Sequence, residues 1–340
     1  MKSLLRLLLK SQHQRNRSGP AQTEKGMTLV ELLVGSIMAF LIITPMLGFV
    51  VDMLNTDRRE QVKSNTEQDI QAAVDFIAQD LSQAIYIYDN NGINGTAAPV
   101  GIKDQLPKPP NGTPLLVFWK RQQIPKSLPI DTSLKPINCQ PSGTAQCNDT
   151  YVLSLVAYYQ FKETDPTSIW CQPSGGTCPT RIARYEIRDG VKNPSPPDPT
   201  NPYYEDTETK ESQRKSKAFN PKFNFSNPTK EVTTGVAADF PSSEVLVNYI
   251  DHSGNNNVPV PTGAQCQTLL GVTSPNLLIT DNSTHSFYAC VDTSRNIARV
   301  TIRGNSLRRL QANDADFKTT SSAFFPTASV QVQGLGALGK

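Results

Sequence analysis

Lys25-Gly26-Met27-Thr28-Leu29-Val30-Glu31 runs directly into Leu32-Leu33-Val34-Gly35-Ser36-Ile37-Met38-Ala39-Phe40-Leu41-Ile42-Ile43. A polar, basic leader ends in a glycine, and an apolar segment with a single carboxylate near its start follows at once. An unpaired charge on such a segment costs about 3 kcal/mol at the centre of a bilayer and less near its surface. The sequence therefore indicates that Glu31 has a partner or a function.

The apolar segment Thr28–Val51 is long enough to cross a membrane as a helix. It contains Pro45 and Gly48, which membrane-spanning helices tolerate. The leucine run at Leu4–Leu9 is short and interrupted by Arg6, and no small-residue cleavage site follows it. A conventional secretory signal is therefore the weaker interpretation, and an anchor that is never processed is the alternative to a cleaved leader.

Six basic residues precede this segment and only Glu24 opposes them: Lys2, Arg6, Lys10, Arg15, Arg17 and Lys25. Positive charge before a span keeps that end in the cytoplasm, so we expect the rest of the chain outside it. The 340 residues carry a net charge of only +3, which gives no support to binding of nucleic acid. A hydrophobic fraction of 37% with 19% charged residues is sufficient for a folded core beyond the anchor.

All six cysteines follow the apolar segment: Cys139, Cys147, Cys171, Cys178, Cys266 and Cys290. An even number outside the cytoplasm predicts disulfides. The sequence does not choose among the connectivities, although proximity along the chain favours Cys139–Cys147 and Cys171–Cys178, which leaves Cys266–Cys290. No C-x-x-C pair is present, so we predict no zinc site.

An apolar stripe with helical spacing lies within Asp52–Tyr88 and consists of Ile70, Val74, Ile77, Leu81 and Ile85. It predicts that the anchor helix, residues 27–51, continues through residues 52–88 and packs one face against a globular head. The turn-forming segment Asn90–Gly95 is predicted to end the helix.

Residues 89–320 are predicted to form a β-rich head of strands and loops. The predicted strands are Leu115–Lys120, Tyr151–Phe161, Arg181–Arg188, Glu244–Ile250, His285–Asp292 and Ile297–Arg303. The second and third are expected to form a hairpin with Cys171 and Cys178 at its long tip. Residues 191–230, rich in Pro and Asn, are predicted to be an insertion without a core of its own, and residues 321–340 a flexible tail.

The segment Gly26–Phe40 resembles the N-terminus of type IV pilins and type II secretion pseudopilins. The resemblance implies that a dedicated peptidase removes residues 1–26 by cutting after Gly26 and methylates the new N-terminus at Met27. It also implies that the carboxylate of Glu31 pairs with the amino terminus of a neighbouring subunit during filament assembly.

The helix around Asp80-Leu81 is similar to that of larger minor pilins and J-class pseudopilins, and the chain length is similar to that of minor J- or W-class subunits. The resemblance implies an α+β fold, in which a long N-terminal transmembrane helix runs into a pilin-like β-sheet head with long loops. It implies a minor subunit of a filament anchored in the inner membrane, with its head in the periplasm. Such a filament supports secretion, with polysaccharide as one candidate cargo, or motility.

The partners that this resemblance implies are other pilin or pseudopilin subunits, the prepilin peptidase, the inner-membrane assembly platform and the membrane itself. No cofactor and no nucleic acid are expected. The alternative function is that of an adhesive or DNA-uptake minor pilin at a fibre tip. Surface exposure on cells would separate the two functions, because a secretion pseudopilus stays within the envelope.

We predict no enzymatic activity. His252 adjoins Ser253 and His285 adjoins Ser286, but no nucleophile-elbow motif is present. Histidines in loops of a chain this long are usually exposed, and we expect these two to be so.

Two further features of the sequence are assigned to ordinary structure. The turns Asp89–Gly95 and Asp251–Asn257 offer oxygen atoms to calcium but lack EF-hand spacing, so no metal site is predicted and calcium stays an open alternative. The late arginines are interpreted as a solvated strand face, with a partner-binding surface as the alternative: Arg295, Arg299, Arg303, Arg308 and Arg309.

Overall fold

The computed structural model describes residues 28–139, 146–254 and 258–335. The α-helices are α1 (Leu29–Ser82), α2 (Asn90–Asn94), α3 (Gly263–Leu270) and α4 (Leu307–Leu310). The strands are β1 (Ala84–Ile87), β2 (Gly112–Pro129), β3 (Cys147–Lys162), β4 (Thr180–Arg188), β5 (Glu244–Ile250), β6 (Leu278–Thr280), β7 (Phe287–Asp292), β8 (Ile297–Arg303) and β9 (Thr327–Gln333). This confirms the predicted α+β class, with a long apolar N-terminal helix followed by antiparallel sheets.

Helix α1 has 54 residues and continues through Pro45 without a break. The described residues up to Asp57 form one compact unit, and those from Arg58 onward form another. The large apolar side chains between Leu29 and Leu54 are exposed, as expected of a surface that faces lipid. This helix is long and apolar enough to span a membrane.

Within the second unit, the last turns of α1 pack against the core of the head. Ile70, Val74, Ile77 and Leu81 are each at most 1% exposed, and they share one apolar cluster with both sheets. The predicted stripe is therefore correct up to Leu81. Burial of a side chain of this size contributes about 1.5–3 kcal/mol relative to its exposure.

Helix α1 ends at Ser82, which corrects the predicted continuation through residue 88. Residues Ala84–Ile87 instead form β1 and pair with β2, with Tyr86 opposite Trp119 and Ile87 opposite Phe118. Ile85 lies in this strand, although it has the spacing of the helical stripe. β-branched and aromatic residues favour strands when a partner strand is available, and here β2 supplies it.

The larger sheet has five antiparallel strands in the order β1-β2-β3-β4-β5. Strands β3 and β4 form the predicted hairpin, in register from Ser154 opposite Arg188 to Lys162 opposite Thr180. The Cys171–Cys178 disulfide lies in the long connection at its tip, as expected.

The smaller sheet has the order β6-β7-β8-β9. Its last strand, Thr327–Gln333, pairs with all of β8, so the predicted flexible tail of residues 321–340 is wrong over this segment. Ala328, Val330 and Val332 are more buried than the residues between them. This two-residue alternation is what a sheet with one face on the core requires.

The head also contains helices that the prediction of strands and loops alone omitted. Asn90–Asn94 is a short helix rather than a turn that ends α1. Gly263–Leu270 begins with a capping box, in which the Thr262 side chain accepts from the Gln265 N–H. It ends at Gly271, whose φ of 65° lies in the left-handed region that glycine adopts readily.

The insertion at residues 191–230 is held by aromatic contacts to the larger sheet. Phe219 is 3% exposed, and its ring meets the Trp119 ring edge-on at 6.1 Å between centroids. Phe223 stacks on Trp119 at 4.2 Å. The insertion therefore takes its order from the core of the head, in keeping with a composition that supplies no core of its own.

Candidate functional site

The beginning of α1 brings Thr28 and Glu31 into a reciprocal capping arrangement. The Thr28 N–H donates to Oε2 of Glu31 at 3.1 Å, and the Glu31 N–H donates to Oγ1 of Thr28 at 3.3 Å. This capping box satisfies two backbone donors at the helix start. Gly26 and Met27, the predicted cleavage and methylation residues, lie outside the described residues.

The geometry leaves one oxygen of Glu31 available. The bonds from the N–H and the hydroxyl of Thr28 both go to Oε2, and within the described residues Oε1 has no partner. A carboxylate can accept several hydrogen bonds, so a second donor can be added without breaking the cap.

Asp80, near the end of α1, is the centre of a buried group of charges that joins the helix to the larger sheet. Its Oδ1 lies 2.9 Å from Nζ of Lys120 on β2. Its Oδ2 lies 2.7 Å from Nε of Arg184 on β4 and accepts from the hydroxyl of Tyr158 on β3 at 2.7 Å. Glu186 completes the group, with Oε2 at 2.7 Å from Nη2 of Arg184.

The protonation equilibria of this group follow from burial and pairing. Burial raises the pKa of Asp80, but Arg184 and Lys120 lower it by more, and the net shift is downward. The pKa of Glu186 is also lowered, because the effect of Arg184 and Lys120 exceeds that of burial. Burial and the Asp80 charge raise the pKa of Tyr158, so this hydroxyl stays a donor. The group therefore has charges of both signs in place at neutral pH.

The family resemblance includes Asp80, but Lys120, Tyr158 and Arg184 were not predicted from the sequence as its partners. A signal was present, because Lys120 ends the apolar run of β2 and Arg184 lies between buried neighbours on β4. A charge at an inward-facing strand position needs a buried partner. What the sequence could not supply is the pairing of strands that directs both cations to one aspartate.

Every cysteine of the chain is in a disulfide, and each bridge joins nearest neighbours along the chain: Cys139–Cys147, Cys171–Cys178 and Cys266–Cys290. The Cys266–Cys290 bridge connects α3 to β7. The loop of the Cys171–Cys178 bridge is held by the buried Arg308, which donates to the carbonyls of Pro173, Gly175 and Thr177 at 2.7–2.9 Å.

Three of the five late arginines do not lie on the expected solvated face, whereas Arg295 is exposed and Arg299 on β8 is half-buried. Arg303 is 8% exposed, and its Nε lies 2.8 Å from Oδ2 of Asp251. Arg309 pairs with Asp69 of α1. Arg308 is buried against the disulfide loop. The head therefore contains three separate contacts made by Arg303, Arg308 and Arg309, because the turns after β8 fold back across it.

His285 is buried and the side chain of His252 is only 4% exposed, which corrects the expectation that both are exposed. Nε2 of His252 lies 3.3 Å from Oδ1 of Asp316, and Nδ1 of His285 lies 2.9 Å from Oγ1 of Thr280. Burial lowers the pKa of each imidazole despite nearby carboxylates. The adjacent serine hydroxyls bond to other groups, so neither forms a serine–histidine pair in the described part of the chain.

The two turns considered for calcium have structural roles. Asp89 is the N-cap of α2 and accepts from the Gly92 N–H at 2.7 Å. Asp251 is fully buried and paired with Arg303, while residues 255–257 of its turn lie outside the described residues. Across residues 28–139, 146–254 and 258–335, no three Asp, Glu, His or Cys groups converge as metal ligands would.

The chain matches no family model, no curated protein and no solved structure. Its function must therefore be inferred from its own residues and their geometry.

Proposed function

We propose that this chain is a minor pilin-like subunit of a filament anchored in the inner membrane, of the type IV pilus or type II secretion kind, which supports secretion or motility. The observation that carries the proposal is the order of features along one chain. A basic leader ends at Gly26, a capped helix with an acid at Glu31 follows, and that helix runs on to Ser82 and packs its last turns into a β-sheet head.

In the proposed mechanism, Glu31 both caps its own helix and receives the amino terminus of a neighbouring subunit. Two opposite charges that are partly removed from water attract each other far more strongly than they do in water. The free Oε1 of Glu31 is the atom that we assign to this contact. The exposed apolar side chains of Leu29–Leu54 then hold the subunit in the bilayer and pack against other subunits.

The proposal places the head outside the cytoplasm. The basic residues of the leader favour a cytoplasmic N-terminus. Three disulfides in the head are stable in an oxidising compartment and would be reduced in the cytosol. The partners are then other pilin-like subunits, the peptidase that cuts after Gly26, and the platform that assembles the filament.

The processing step tests this proposal directly. The chain is co-expressed with a prepilin peptidase, purified from membranes and weighed intact by mass spectrometry. We expect a chain that begins at Met27 and carries one added methyl group. Gly26→Val should keep the whole leader, because a branched side chain at the cleavage position obstructs the peptidase.

Gly35→Val is the matched control. No atom lies within 4 Å of a Cβ built at Gly35, so a valine fits there and processing should proceed normally. A wild-type chain that begins elsewhere than Met27, or cleavage of Gly26→Val as efficient as that of Gly35→Val, would contradict the proposal.

A further inference from the structure

The head contains a cavity of about 730 Å³ that none of the features above uses. It lies among four segments: the end of β1, residues 224–228 of the insertion, the connection before β6 and the turn between β7 and β8. A cavity of this size is in the range of sites that bind small ligands. It lies wholly within the head, beyond Arg58.

Two aromatic side chains line this cavity, Tyr86 on β1 and Phe225 on the insertion. The ring of Phe225 meets that of Phe223 edge-on, with 4.9 Å between centroids, and Phe223 stacks on the buried Trp119. The insertion is fixed here because the Tyr88 hydroxyl donates to the Pro228 carbonyl at 2.5 Å. The aromatic wall is therefore supported by the core.

Polar groups without protein partners face the same cavity. Asp89 uses Oδ1 to accept from the Gly92 N–H, and its other oxygen has no partner in the described residues. Asn296 is 2% exposed and donates to the Ala84 carbonyl, but its buried Oδ1 is unpaired. Burial and Asp89 raise the pKa of Tyr86 to about 12, so its hydroxyl remains a donor at neutral pH.

The charged side chains that line this cavity determine whether it favours anionic or neutral ligands. No lysine, arginine or histidine belongs to its described lining. Asp292 is already neutralised by Arg295 at 2.8 Å, which leaves the carboxylate of Asp89 as the free charge. An anionic ligand such as a phosphate or a uronic acid would meet repulsion without a compensating cation.

A second cavity of about 580 Å³ adjoins the first and shares Leu277 with it. Amide side chains are prominent in its lining, including those of Asn90, Asn94 and Asn276. Lys103 and Asp281 also line it, and their opposite charges leave this cavity without a net charge. Side-chain amides offer both donors and acceptors, as neighbouring hydroxyls on a ligand do. Two adjoining polar cavities suit a ligand that extends beyond a single ring.

We propose that these cavities bind a neutral glycan chain, with one sugar ring on Phe225 and Tyr86. The apolar C–H face of a pyranose packs against aromatic rings, while its hydroxyls donate to Asp89 and Asn296 and accept from Tyr86. The inference concerns the head alone and does not depend on the proposed filament, so failure of the binding test below would leave that proposal intact.

The test uses the full chain in a phosphocholine detergent, because the sugar headgroup of a glycoside detergent would compete. The probes are neutral hexasaccharides of glucose, galactose, mannose, xylose and N-acetylglucosamine. An oligogalacturonate and an uncharged peptide of similar length are the comparison ligands. Saturation-transfer NMR detects binding, and titration calorimetry measures Kd.

The variants are Phe225→Ala, which removes the stacking face, and Asp89→Asn, which keeps the helix cap but removes the charge. Phe324→Ala is the matched control, because that ring lies outside the cavity lining and packs under Nζ of Lys63. Thermal unfolding verifies that each variant is folded.

We expect at least one neutral hexasaccharide to bind, with Kd raised about tenfold or more by Phe225→Ala and Asp89→Asn and unchanged by Phe324→Ala. Absence of binding by every neutral hexasaccharide, or binding that neither cavity variant weakens, would overturn the inference. Preferential binding of the oligogalacturonate or the peptide would also overturn it, because the ligand class would then be wrong.

Discussion

At the scale of single residues, the capping role of Glu31 and its proposed role in assembly can be separated by substitution. Its Oε2 belongs to the capping box with Thr28, whereas the proposed contact with a neighbouring subunit requires its negative charge. A glutamine at this position retains the capping oxygen, since Gln serves as well as Glu in a capping box. Thr28→Val has the opposite effect, because it removes the capping hydroxyl and keeps the charge.

We therefore predict that Glu31→Gln is processed, inserted and folded like wild type but fails to co-purify with other pilin-like subunits. Thr28→Val should assemble, with at most about 1–2 kcal/mol lost from the helix start. Pull-down of each variant from membranes measures assembly. Normal assembly of Glu31→Gln, or equal loss of assembly in both variants, would show that the charge of Glu31 is not the deciding factor.

Residues that act through distant contacts are the ones that the sequence could not identify. Arg308 meets carbonyl groups more than 130 positions earlier in the chain. A run of arginines near a strand is compatible with a solvated surface or with buried pairs, and local spacing does not separate the two. The cysteines are different, because their even number, predicted compartment and proximity along the chain already favoured the bridges that the structure contains.

At the scale of elements, Asp80 ties α1 to three strands of the larger sheet. Breaking a buried ion pair from one side costs about 3–5 kcal/mol, because the remaining charges stay buried without a partner. We predict a loss of this size for Asp80→Asn, measured by urea unfolding of the full chain in micelles. Asp75→Asn is the control on the same helix. Among the described residues that exposed carboxylate accepts only from Gln71, so the substitution should change the stability by no more than about 0.5 kcal/mol.

The same group gives the stability a defined dependence on pH. The pKa values of Asp80 and Glu186 are lowered in the folded state, so their contribution is complete above their ordinary values of about 4. It is lost as the pH falls through the lower, folded-state values, because the unfolded chain then binds more protons. The loss below pH 4 should be smaller in Asp80→Asn. An identical pH profile in the variant would contradict this assignment.

An element could be predicted from the sequence where its local hydrophobic pattern and its pairing in the folded chain favour the same secondary structure. Strands β5 and β8 have the predicted bounds, since each is a short segment rich in β-branched residues between turn-forming segments. The position of Ile85 fits both a helical stripe and a strand. Residues Ala84–Ile87 form a strand because they pair with β2. The alternation Val330-Gln331-Val332-Gln333 is typical of a strand. The glycines that follow it favoured the prediction of a flexible tail.

At the scale of the whole molecule, the membrane helix and the disulfides together predict a single orientation. In spheroplasts, a membrane-impermeant maleimide should label no cysteine before reduction. After treatment with an impermeant reductant in urea, which exposes the buried cysteines, it should label all six, because the proposed orientation places the head outside the cytoplasmic membrane. In inverted vesicles the same treatment should label none.

The double variant Cys139→Ala with Cys147→Ala is the control, and it should carry two labels fewer. Labelling without the reductant in inverted vesicles would place the head in the cytoplasm. Labelling without the reductant in spheroplasts would instead show that a bridge is absent. The two outcomes thus distinguish a wrong prediction of membrane orientation from a wrong prediction of disulfide pairing.

The spacing of the bridges has a consequence for the order in which the chain matures. The paired cysteines are separated by only 8, 7 and 24 positions, and the three loops neither overlap nor enclose one another. If the head leaves the cytoplasm from its N-terminal end, each cysteine that opens a loop meets its own partner before the next loop begins. Oxidation can then follow translocation step by step, without first forming wrong bridges that an isomerase must later exchange.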